Sequence, residues 1–96
     1  MLMIFETFVN KGESSGSRIR VRPVAGQGIS TNVRVECNKE MRLQHPIGQR
    51  FLMDVQWKDT SGEPFLYRYH QRDLGQPISD DEAQTYIAQN FNSGAR

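Results

Sequence analysis

The stretch Gln49-Arg50-Phe51-Leu52-Met53-Asp54-Val55-Gln56-Trp57-Lys58-Asp59-Thr60-Ser61-Gly62-Glu63-Pro64-Phe65-Leu66-Tyr67-Arg68-Tyr69-His70-Gln71 decides how this chain folds. Phe51, Met53, Val55 and Trp57 alternate with Leu52, Asp54, Gln56 and Lys58, the period-two mark of a strand with one buried face. Phe65, Tyr67 and Tyr69 alternate in turn with Leu66, Arg68 and His70. Between the runs, Asp59-Thr60-Ser61-Gly62-Glu63 has the chemistry of a three-residue hairpin loop closed by a left-handed glycine. Counting outward from Thr60-Ser61-Gly62 predicts Trp57 opposite Phe65, Val55 opposite Tyr67 and Met53 opposite Tyr69, with Asp54 across from Arg68 on the other face. A slip by one residue would set Asp54 against Tyr67, so charge pairing and turn chemistry select the same register.

Upstream, Met1 to Val9 is apolar on both alternations, interrupted only by Glu6 and Thr7. Such a strand must be covered on both faces. Two readings stay open: a central strand under a helix, or the contact of a homodimer. Asn10 to Ser17 reads as a polar loop. Arg18 to Val24 alternates again, with Ile19 and Val21 inward, Arg18, Arg20 and Arg22 outward, and Pro23 marking an edge. Gly26-Gln27-Gly28 is a turn; lacking a third glycine at the required spacing, it is no phosphate loop. In Asn32 to Cys37, Val33, Val35 and Cys37 face inward. Asn38 can cap a short helical segment through Leu43 that His45-Pro46 stops.

Downstream of the hairpin, Arg72 to Pro77 is turn-rich and leads to the clearest helix. Ser79 with Glu82 forms a capping box, Asp80 and Asp81 suit the positive end of the helix dipole, and Ala83, Tyr86, Ile87 and Phe91 recur at helical spacing. The expected fold is α+β: a mainly antiparallel sheet of about five strands, curled into a half-barrel, with one C-terminal helix packed on it. A closed small barrel plugged by the helix is the alternative. Residues 1–91 form the expected single domain, and residues 92–96 a disordered tail.

With 96 residues, the chain supports one hydrophobic core and no second domain. A single cysteine precludes an intrachain disulfide, and the first residues lack the pattern of a signal peptide, so the expected compartment is cytoplasmic. No apolar run is long enough for a membrane span. Basic residues dominate the first half and Asp73, Asp80, Asp81 and Glu82 the second, which leaves room for a local basic face but no whole-molecule positive field.

Arg20-Val21-Arg22-Pro23, Gly26-Gln27-Gly28, Val35-Glu36-Cys37, Met41-Arg42, His45-Pro46, Gly48 and Phe65-Leu66-Tyr67 together form a pattern. It resembles small bacterial open reading frames of the kind carried in integron gene cassettes. The resemblance runs from Arg18 to Tyr69 and implies a genomic setting, with no catalytic residues to carry over.

Several residues are candidate sites. Arg18, Arg20 and Arg22, joined across the sheet by Arg34, could grip phosphates or carboxylates through the fixed fork of the guanidinium, or could be an ordinary solvated face. The exposed aromatics that base stacking needs are missing from these strands. Cys37, where a strand meets a helix start, is either a dipole-activated nucleophile needing His45 or His70 as base, or a small buried hydrophobe. His70 and His45 with Arg68 could support phosphodiester cleavage. Tyr67, Tyr69 and Tyr86, with Met53 and Phe91, could line a pocket between sheet and helix, or simply fill the core. Cys37, His45 and His70 lack metal-ligand spacing, and neither metal nor cofactor is expected. These residues suggest a small non-enzymatic binding or interaction module, a homodimer whose further partner is a small ligand or a nucleic acid. The alternatives are a nucleic-acid binder using the arginine face and a small hydrolase or nuclease using His70 or Cys37.

Overall fold

In the computed structural model, residues 1–9, 19–36, 45–59, 62–68 and 75–91 are described. They form six strands, β1 (Leu2–Val9), β2 (Ile19–Pro23), β3 (Val35–Glu36), β4 (Arg50–Lys58), β5 (Phe65–Arg68) and β6 (Gln76–Ile78), followed by one helix, α1 (Asp80–Asn90). The sheet is nearly closed and mostly antiparallel, curled into a half-barrel in the order β2-β1-β4-β5-β3. Only β3 and β5 run parallel. β6 pairs with the first residues of β4, antiparallel like β5, so β5 and β6 lie in line along one edge of the longest strand.

Strand β1 lies between β2 and β4, and its alternation explains its composition. Met3 and Phe5 face the inside of the curl with Val21, Phe51, Met53, Val55 and Leu66, where Ile29, Val33 and Val35 pack against them. Ile4 points the other way, into a second cluster with Val24, Ala83 and Ile87 beneath the helix. Ile4 and Phe5 are both fully buried within one chain. The helix covers the face that might have called for a second copy, so the apolar run gives no reason to place a dimer contact there. Because β2 and β3, the two ends of the sheet, both contribute to the Phe5 cluster, that cluster fills the interior. The helix therefore packs on the outside of the half-barrel.

Hydrogen bonding along β1 also alternates, as antiparallel pairing requires. The Val55 N–H donates to the Met1 carbonyl at 2.8 Å and the Thr7 N–H to the Gln49 carbonyl at 3.3 Å, whereas the Val24 N–H donates to Ile4 at 3.0 Å. Odd residues thus bond β4 and even residues β2. Pro23 stands opposite Phe5, where no bond to β1 is due, and its missing N–H costs nothing. It sits on a terminal strand, as its chemistry predicts.

The β4–β5 register differs from the expected one by a single residue. Trp57 lies opposite Leu66, Val55 opposite Arg68 and Lys58 opposite Phe65, which leaves Asp59 to Pro64 as the connection. The slip turns Leu66 inward, where it is fully buried, and sends Phe65 and Tyr67 to the outer face. There, Arg34 covers Phe65 at 4.1 Å and Lys58 lies 5.9 Å from the Tyr67 ring centroid. Leu66 thus joins Phe5 and Phe51 inside, and the two outer rings each carry a cation. Trp57, at the end of its strand, remains 42% exposed rather than core. Asp54 finds its cation at the Met1 amino group, 2.9 Å away, instead of at Arg68.

The third strand is shorter than Asn32 to Cys37, but Val33 and Val35 do face the interior. Cys37 and the helical segment expected after Asn38 lie outside the described residues, as do Tyr69, His70, the 10–17 loop and the 92–96 tail. Helix α1 begins as its sequence says: Ser79 Oγ accepts from the Glu82 N–H at 3.1 Å, and a Glu82 carboxylate oxygen accepts from the Ser79 N–H at 3.0 Å. Gly26, at φ +98°, lets the helix approach closely; a Cβ there would lie 3.2 Å from Ile87 Cγ2. Ser79→Ala should cost about 1 kcal/mol in urea unfolding, and an unchanged midpoint would show that the cap contributes nothing to holding the helix on the sheet.

Candidate functional site

The sheet stops short of closing at β2 and β3. Their Cα atoms approach within 8 Å, yet no ladder joins them. Strands in a ladder are spaced by about 4.8 Å, so a strand inserted here would need a gap of about 9.6 Å. The seam is too narrow for a strand and suits side-chain recognition instead. Over it lies a groove of about 500 Å3, the larger of two that meet at this end of the sheet.

Phe8, Arg20 and Arg22 form one wall of the groove, and Asn32, Arg34 and Val35 the other. The pairing of Phe8 with Arg20 and of Glu6 with Arg22 puts both arginines on the outer face. Val35 pairs with inward-facing Leu66, so Arg34 alternates outward as well. The 30–33 turn sets the second wall: the Val33 N–H donates to the Ser30 carbonyl at 3.3 Å and the Asn32 N–H to Ser30 Oγ at 3.0 Å. No carboxylate belongs to the groove wall among the described residues.

Each arginine in this region is partly held. Arg22 Nε donates to Glu6 at 2.9 Å while its guanidinium lies 4.5 Å over the Phe8 ring. Arg34 Nη2 donates to Glu36 at 2.8 Å while its guanidinium lies 4.1 Å over Phe65. Both members of the Arg34–Glu36 pair are more than half exposed, so the pair contributes little and yields readily to a better anion. Glu6 is shared with Arg50 at 3.6 Å, and Arg50 reaches Asp80 at 3.7 Å. Positive charge along the outer face is thus balanced before it reaches the helix.

Of the four arginines read from the sequence, the structure brings Arg20, Arg22 and Arg34 together, and Arg18 lies outside the described residues. Of the three tyrosines read as a pocket, Tyr69 lies outside the described residues, and Tyr67 and Tyr86 do not line a common pocket among those described. Tyr67 lies on the outer face, with its hydroxyl 3.4 Å from Gln56, while Met53 is inside the curl and Tyr86 packs beneath the helix. The Tyr86 hydroxyl donates to the Leu2 carbonyl at 2.6 Å, and burial raises its pKa, so it acts as a tether. Phe91 closes the helix beside Tyr86, 6.2 Å between ring centroids.

His45 stands edge-on to Phe51, 5.1 Å between ring centroids. Its turn is fastened by Thr7, whose hydroxyl donates to the Pro46 carbonyl at 3.3 Å and accepts from the Gly48 N–H at 3.0 Å. His45 thus packs on Phe51, and its proposed associates Cys37 and His70 lie outside the described residues. No metal-holding group of His, Cys, Asp and Glu occurs among the described residues. No helix among them is long and apolar enough to cross a membrane.

Sequence reading missed Phe8, Thr31 and Asn32 as groove residues. Phe8 shares an alternation with the arginines of the next strand, a signal that becomes visible only when β1 and β2 are aligned. Thr31 and Asn32 looked like the approach to a strand.

The chain matches no family model, no curated protein and no solved structure. Fold and groove define it by themselves as a small α+β half-barrel with a cationic seam.

Proposed function

We propose that this chain is a small non-enzymatic binding module, an accessory protein of the cassette type its sequence resembles, which takes an anionic small ligand at the open seam of its sheet. The observation that carries the reading is the convergence of Arg20, Arg22 and Arg34 on one groove whose described wall holds no carboxylate. Guanidinium groups give charge-assisted, often bidentate bonds to phosphate and carboxylate oxygens, the strongest polar contacts available to side chains. A volume of about 500 Å3 is that of a small-molecule site. A polyanion would need cations continuing beyond the groove, and among the described residues the next one toward the helix, Arg50, is balanced by Glu6 and Asp80. That balance favours a compact anion over a nucleic-acid strand.

Calorimetric titration with inorganic pyrophosphate at low salt tests the reading. Binding should weaken as salt rises, and Arg34→Glu should lower affinity by about tenfold or more, the size expected for one charged hydrogen bond. Arg34 is exposed, so the variant should fold. Absence of binding, or binding indifferent to Arg34→Glu, would overturn the assignment.

A further inference from the structure

Arg34 lines both the seam groove and the adjoining pocket of about 410 Å3, whereas Phe65 lines only the latter. Arg34, with Asn32, therefore stands where the two cavities meet. The Arg34 guanidinium carbon lies over the Phe65 ring, 4.1 Å from the centroid, and its Nη2 donates to Glu36 at 2.8 Å. On the other wall Arg22 lies over Phe8, which itself lines the groove, and its Nε donates to Glu6. A guanidinium backed by a ring and partly neutralised by a carboxylate pulls less on a bare anion, yet its fixed plane remains a good platform for a flat ring.

Resting on the anion-binding reading above, we propose that the ligand is a planar aromatic ring carrying an anionic arm, of mononucleotide size and chemistry. The ring stacks on the groove-side face of Arg34, making a three-layer stack with Phe65 underneath. The anionic arm crosses the seam toward the wall that bears Arg20 and Arg22. Asn32, beside Arg34 on the same wall, offers a donor and an acceptor to the polar edge of such a ring. The inference accounts for a feature that simple anion capture leaves unused, the seating of Arg34 on the Phe65 ring.

The test compares inorganic phosphate, phenyl phosphate and adenosine monophosphate, with wild type and Arg34→Lys, by calorimetry at low salt. Lysine keeps the charge and removes the plane. Both ring-bearing phosphates should bind about tenfold tighter than inorganic phosphate, the size of one stacking contact. Arg34→Lys should erase that advantage while leaving inorganic phosphate affinity within about twofold. Equal binding of all three probes, or an advantage that survives Arg34→Lys, would overturn the stacking inference and leave anion capture standing. Failure of every phosphate, including pyrophosphate, would overturn both. A short oligoadenylate binding far more tightly than the mononucleotide would replace the small ligand with a single-stranded nucleic acid.

Discussion

Phe51→Ala is expected to remove about 3–5 kcal/mol of stability, the usual cost of truncating a fully buried phenylalanine. Phe51 is completely buried, stands directly across from the equally buried Phe5, and meets the edge of His45. It also pairs on its other side with Pro77 of β6, so its ring fills the interior where three strands converge. The backbone ladders would hold the walls apart, and the surrounding side chains could collapse only partly into the void. Small domains are stable by only about 5–15 kcal/mol, so this one change should consume much of the total. Urea unfolding followed by the fluorescence of Trp57, the single tryptophan, provides the measurement. A loss below about 1 kcal/mol would mean that the ring does not occupy a packed interior.

Gln27→Leu should cost about 2–4 kcal/mol, although glutamine is normally a surface residue. Its carboxamide is buried and behaves like a piece of strand. Oε1 accepts from the Ile4 N–H at 2.7 Å, and Nε2 donates to the Ile4 carbonyl at 2.8 Å and the Val24 carbonyl at 2.9 Å. Leucine matches the bulk but leaves the Ile4 N–H and the Val24 carbonyl without these partners beneath the helix, and a buried unmatched polar group costs about 1–3 kcal/mol. Gln27→Glu adds a pH signature. A carboxylate facing two carbonyls in a buried site has its pKa raised in the folded state, so this variant should be most stable below the ordinary glutamate value of about 4.3 and lose stability as pH rises from there through the folded value. Urea midpoints for Gln27→Leu equal to wild type, or a Gln27→Glu variant indifferent to pH, would show that the amide does not bridge β1 and the following turn.

Much of the architecture could be read from local pattern. The capping box at Ser79 and Glu82 and the apolar stripe through Ala83 and Ile87 located the helix, because capping and periodicity are properties of a single segment. The doubly apolar Met1 to Val9 run announced a strand covered on both sides, and Ile4 and Phe5 bear this out within one chain. The hairpin register is not legible from the turn: counting outward from a three-residue Thr60-Ser61-Gly62 loop sets Trp57 against Phe65, whereas the strands pair Trp57 with Leu66, which buries Leu66 inside and leaves Phe65 and Tyr67 to cations outside. Gln27 was invisible as an anchor, since nothing in Gly26-Gln27-Gly28 shows that a strand edge waits below it. The seam was only half legible. The outward alternation of Arg20 and Arg22 could be seen, but their meeting with Arg34 depends on the curl that carries β2 round to β3.

The most direct test of the central claim is the map of backbone amide shifts in the 15N-labelled protein as pyrophosphate is added at low salt. The account predicts changes concentrated at Arg20, Val21 and Arg22 and from Thr31 to Val35, with residues of α1 unmoved. Changes centred on the helix, or none at millimolar pyrophosphate, would contradict the assignment of the seam as the binding site.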